Sequence, residues 1–279
     1  MFKKLALAAS LAVALGSGAF AATTTISNGT LTAAIGDNGT FDVSGGAGTP
    51  GLSWMGTEFM NIDVPASWFV FNANGTDMTS YSIGPTFAFP GSTTFGGGAA
   101  AATTFAVGSW SFSQVVLAAN PDKLTVTLNI TNNTGKDVRG TYSVGFDPDQ
   151  DGSGKNTTVN TILATAGASA VSATGPLSGK TVTLQNDTSA SAFSIFPYIN
   201  VGNCCAAVSP TAAAFQGLGF STTADDSINL IYDLGTVKAG QTVSIGYSYV
   251  FAAVPEPETY ALMLAGLAAV GFVAARRRV

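Results

Sequence analysis

The segment Asp147-Pro148-Asp149-Gln150-Asp151-Gly152-Ser153 sets three carboxylates at alternate positions ahead of a glycine. That spacing matches positions 1, 3, 5 and 6 of a calcium-binding loop, with the Ser153 carbonyl following at position 7. Carboxylates this close repel one another unless a cation or solvent stands between them. The expected chemistry is calcium held by Asp147, Asp149, Asp151 and Ser153. Further along, the pattern departs from the helical calcium loop. Lys155 takes position 9, and Thr158 stands where a bidentate glutamate would close the shell. A strand pattern ends at Phe146 and another begins near Thr157, so oxygens from a distant segment must complete the shell. Asp225 and Asp226 are the candidates. A solvated Asx-rich turn is the alternative use of the same residues.

Little else in the chain suggests catalysis. It has no histidine, which removes Ser-His-Asp and Cys-His nucleophiles and most zinc sites. Glu58 is the one glutamate between residues 22 and 253, so a glycosidase pair would have to draw on aspartates, and no spacing marks one. Scattered lysines give no lead to Ser-Lys chemistry. The chain therefore reads as non-enzymatic. Trp54, Trp68 and Trp110 could stack on sugar rings, so a carbohydrate-binding module for extracellular polysaccharide is the alternative function. Two of them, in Trp68-Phe69-Val70-Phe71 and Trp110-Ser111-Phe112, also fit strands, where such rings pack inside. An exposed aromatic stripe would favour glycan binding, and a buried set a structural role.

The elements that must position these residues are strands. Lys123 to Thr131 alternates, with Leu124, Val126, Leu128 and Ile130 on one face and Thr125, Thr127 and Asn129 on the other. Asn132-Asn133-Thr134-Gly135 reads as a turn and Val138 to Phe146 as the returning strand, together a hairpin. Strands are also predicted at 29–35, 40–43, 68–72, 110–117, 181–184, 227–232 and 242–251. Residues 96–104 and 164–175, built of small side chains, read as loops. No stretch of residues 22–253 carries helical periodicity. The fold class is all-β: one antiparallel β-sandwich, flanked by an N-terminal signal helix and a C-terminal transmembrane helix. With both flanks set aside, six basic residues face fourteen acidic ones, a net charge of −8. That balance argues against nucleic acid and anionic membrane surfaces as partners and is compatible with cation binding. Cys204 and Cys205 are neighbours, whereas ordinary disulfides need Cα atoms about 4.4–6.8 Å apart. A strained vicinal bridge, an intermolecular bridge and two free thiols are all open, and no disulfide framework holds the fold.

The ends read as addresses. Residues 1–21 combine Lys3-Lys4, an apolar run from Leu5 to Leu15 and Ala19-Phe20-Ala21, the pattern of a removable export signal. Residues 254–279 combine Pro255-Glu256-Pro257, an apolar run from Tyr260 to Ala275 and Arg276-Arg277-Arg278. The prolines hold an extended, accessible segment. The apolar run is at the short end of membrane-spanning length, and the arginines stay cytoplasmic. This tail resembles the PEP-CTERM sorting signal. The resemblance implies processing near Pro255-Glu256-Pro257 by an exosortase, a membrane-embedded enzyme, in a Gram-negative-type cell that makes exopolysaccharide or biofilm. Residues 142–160 are similar to a β-rich exported domain often attached to that signal. The function expected is that of an exported structural component of the cell surface or extracellular matrix. It is membrane-anchored until processed, its body spans residues 22–253, and it associates with polysaccharide.

Overall fold

A computed structural model of the chain describes residues 23–36, 39–41, 51–60, 67–81, 93–152, 154–165, 168–189, 193–211, 213–253, 265–267 and 270. In chain order the strands are Thr24–Ser27 (β1), Leu31–Ile35 (β2), Leu52–Trp54 (β3), Thr57–Glu58 (β4), Ser67–Ala73 (β5) and Thr76–Tyr81 (β6). Next come Thr93–Gly97 (β7), Ala100–Val107 (β8), Trp110–Asn120 (β9), Lys123–Asn132 (β10), Val138–Phe146 (β11) and Thr158–Thr165 (β12). Ala168–Thr174 (β13), Lys180–Asn186 (β14), Ser194–Asn200 (β15), Ser221–Ala224 (β16), Ser227–Val237 (β17) and Thr242–Ala253 (β18) complete the set. Every pairing is antiparallel, as the alternating sequence patterns require. The fold is all-β.

Three sheets form. One has nine strands in the order β16-β12-β13-β14-β18-β10-β9-β8-β7, another five in the order β15-β17-β11-β5-β6, and the smallest runs β1-β2-β3-β4. The nine- and five-stranded sheets meet through their apolar faces. Phe71 of β5 sets its ring 4.6 Å from Trp110 of β9, and Phe146 of β11 lies 5.4 Å from Tyr249 of β18. Phe69 bridges to Phe112 and Phe105 on the opposite sheet. Edge-to-face and offset contacts at these separations add to the apolar burial of each ring. In β10 the buried residues are Leu124, Val126, Leu128 and Ile130, and in β18 they include Val243, Ile245, Tyr247 and Tyr249, in step with the period-2 pattern.

The structure corrects two expectations. Strands β10 and β11 do not form a hairpin. β10 pairs with β9 and β18, whereas β11 pairs with β5 and β17 in the facing sheet. The intervening turn is an arch from one sheet to the other, and buried Asn132 braces it. Its Nδ2 donates to the carbonyls of Lys136 and Val237, both at 2.8 Å, and its Oδ1 accepts from the Thr134 amide and hydroxyl. The small-residue segments read as loops are strands instead. They hold β7, β8, β12 and β13, with Ala101, Ala170, Val171 and Ala173 fully or almost fully buried. Backbone pairing on both sides of a strand supplies the ladder that their side chains do not, and short side chains admit close approach. A Cβ at Gly96 would lie 2.7 Å from Ala101 Cα.

Residues 1–22 lie outside the described residues, as do Pro255, Glu256, Pro257, Arg276, Arg277 and Arg278. Among the described residues no helix is long and apolar enough to cross a membrane, so neither flanking helix of the expected architecture is found there.

Candidate metal centre

The acidic loop begins where β11 ends. Phe146 sits opposite Ile228 of β17, so extending that register by one or two residues carries Asp147 alongside the Asp225-Asp226 turn between β16 and β17. Two segments nearly eighty residues apart thus meet because their strands are paired. The Asp149 amide donates to the Phe59 carbonyl at 2.9 Å, which folds the loop inward. Gly152, at φ +89°, then turns the chain out again in a conformation that side chains rarely adopt.

One carboxylate oxygen each from Asp147, Asp149 and Asp225 lie within 4.8 Å of one another. Asp147 and Asp149 are 3 % exposed, and Asp226, next to Asp225, is fully buried. Asp147 Oδ1 has no hydrogen-bond partner. Its Oδ2 lies 3.6 Å from Cys205 Sγ, but Cys205 is bonded to Cys204 and carries no proton to donate. Asp226 Oδ1 accepts from the Gly202 amide at 2.6 Å, while its Oδ2 has no partner. Asp225 Oδ1 and Asn156 Oδ1 are likewise buried and unmatched.

Burial first, and then the charges of Asp149, Asp225 and Asp226, together push the Asp147 carboxyl up to about 9. Asp225 is also raised, chiefly by burial and less by Asp226, against a hydrogen bond with Asn156 that lowers it. The charges acting on Asp147 are thus all carboxylates. Such a group is stable at neutral pH only with some acids neutral or with a cation among them.

The structure sorts the four ligands expected from the sequence. Asp147 and Asp149 come together. Asp151 does not join them: its two oxygens accept from the Leu177 and Ser178 amides, each at 2.8 Å, and fasten the turn between β13 and β14. Ser153 lies outside the described residues. Asp225, unranked in the sequence, stands in the group. Cys204 and Cys205 also approach Asp147, but disulfide sulfurs are not thiolates and offer no comparable ligand. The donors are therefore hard oxygens.

The aromatic candidates for sugar stacking are buried, with Trp54, Trp68 and Trp110 each below one-tenth exposed. Trp54 Nε1 donates to the Pro121 carbonyl, and Trp68 Nε1 donates to Asn229 Oδ1.

Among protein families, the PEP-CTERM protein-sorting motif matches residues 253–278. No curated protein sequence matches the chain. Several solved structures are similar at low identity. One is described as an aldose 1-epimerase from Escherichia coli K12, with 12% identity over 84% of this chain and 99% of that one at a TM-score of 0.48. A kojibiose phosphorylase from the human microbiome shares 5% identity over 66% of this chain and 21% of its own, at 0.34. A polysaccharide lyase shares 11% over 68% and 26%, at 0.32. Likenesses this small carry no argument about chemistry.

Proposed function

We propose that this chain is an exported, non-enzymatic protein that an exosortase processes at its C-terminal signal, and that its body, with the nine- and five-stranded sheets packed face to face, is a sandwich with a structural role. The body would reside at the cell surface or in a polysaccharide-rich extracellular matrix, membrane-anchored until processed. The observation that carries the reading is the sorting motif at residues 253–278, which begins where the last strand of the body ends at Ala253.

The body supports a structural role over a lectin-like one, because the three tryptophans that would form a stacking platform are packed inside. It supports a passive role over catalysis because the chain has no histidine. In addition, Glu58 uses Oε1 to accept from the Leu52 and Met60 amides.

Cell fractionation with mass spectrometry of the mature C-terminus tests the reading. In the producing cells the body is expected outside the inner membrane, ending near Pro255-Glu256-Pro257 and lacking the arginine cluster. In cells without the processing enzyme the intact tail stays with the membrane. Recovery of the uncut chain from the cytosol would overturn it. The same material, passed over the producer's exopolysaccharide, should show no loss of retention on Trp→Ala substitution beyond what unfolding causes.

A further inference from the structure

We propose that Asp147, Asp149 and Asp225 bind one calcium ion, with Asp226 beside them, so that the ion fastens the end of β11 to the β16–β17 turn. The argument starts from geometry. Calcium takes six to eight oxygen ligands at about 2.3–2.6 Å, so oxygens on opposite sides of the ion stand about 4.6–5.2 Å apart. Three carboxylate oxygens within 4.8 Å of one another are close enough to converge on one ion of that size. Magnesium, at about 2.0–2.1 Å and nearly octahedral, calls for a tighter set and keeps its own waters.

Acid clusters alone are common on protein surfaces, and this one differs because two of its three carboxylates, Asp147 and Asp149, are buried while Asp225 is half-buried. Asp147 is 3 % exposed and Asp226 fully buried, and each aims an oxygen without a hydrogen-bond partner into the protein. A buried, unmatched carboxylate oxygen is costly, and a cation is the partner that satisfies several at once. Asn156 Oδ1, also buried and unmatched, sits against Asp225 and offers a neutral oxygen to the same shell. Asp226 contributes from the other side. By holding the Gly202 amide it fixes the loop that carries the Cys204–Cys205 bridge over Asp147.

The site differs from a calcium loop contiguous in sequence, because Asp151 is committed to amides elsewhere. That difference makes it testable. The full-length chain in detergent is melted in EDTA, then in calcium up to about 10 mM, which covers the range of extracellular modules. Calcium should raise Tm by about 3–10 °C, and magnesium at equal concentration by less. Asp147→Asn and Asp225→Asn should each abolish the increment while melting no lower than the native chain in EDTA, since neither substitution adds a charge or changes the shape of the side chain. Asp151→Asn should melt lower in both conditions and keep the increment.

Equal melting of the native chain in EDTA and calcium would overturn the proposal, as would an intact increment in Asp147→Asn or Asp225→Asn. An equal shift with magnesium would overturn the choice of calcium. If an Asn variant does not fold, equilibrium dialysis of the native chain against radioactive calcium decides: one ion per chain supports the site, and none refutes it.

Discussion

Glu58 shows how a single side chain can make the body sensitive to pH. Its Oε1 accepts from the Leu52 and Met60 amides at 2.9 and 3.2 Å, while Oε2 is buried with no partner. Burial pushes its carboxyl up to about 7 from an ordinary 4.5, and the backbone amides only partly offset that rise. Between those two values the folded chain holds a proton that the unfolded chain releases, so stability falls as pH rises through this window. Glu58→Gln keeps the accepting oxygen and removes the titration. Its melting temperature should therefore change less than that of the native chain between about pH 4.5 and pH 7, as differential scanning fluorimetry can record. An identical pH profile for both would refute the assignment. The residue was visible in the sequence only as an isolated acid. Its partners are backbone amides, which have no signature in residue type, and the same reason hides the true role of Asp151. Asp147 and Asp149, by contrast, stand out because alternate aspartates before a glycine match the spacing of a calcium-binding loop.

Among the strands, β10 and β18 are legible because each buries one face and wets the other, so apolar and polar residues alternate. Strands β8 and β13 are not, since alanine, serine and threonine carry almost no contrast between faces, and only pairing on both sides keeps them extended. Pairing itself is not legible at the β10–β11 turn. A tight polar connection suggests a hairpin, but the residues that β11 pairs with, in β5 and β17, lie roughly seventy and ninety positions away. The Asp225–Asp147 encounter is hidden for the same reason, because it depends on the β11–β17 register. Asn132 is what converts the turn into an arch, and its side chain answers buried groups on both sides. Asn132→Ala should lower stability by about 1–3 kcal/mol, since the buried Val237 carbonyl loses its side-chain donor while the Lys136 carbonyl keeps the Thr134 hydroxyl. Urea denaturation at fixed pH and calcium checks it, and a change within about 0.5 kcal/mol would show the arch to be held by packing alone.

At the scale of the whole molecule, the last strand of the body is also one of its inner ones. β18 lies between β14 and β10, matching Thr242 to Thr131 at one end and Ala253 to Lys180 at the other. It carries Ile245, Tyr247, Tyr249 and Phe251 into the shared core. A chain ended at Gln241 would leave both neighbours with an unpaired edge and expose that core. It should show no cooperative unfolding transition by circular dichroism, and a sharp transition would mean that the two halves of the sheet fold without it. A polypeptide that emerges amino end first therefore cannot zip its widest sheet shut until residue 253 is free, and the sorting motif at residues 253–278 follows directly behind it. On the proposed route of export, the processing enzyme would therefore meet a body whose widest sheet has only just closed.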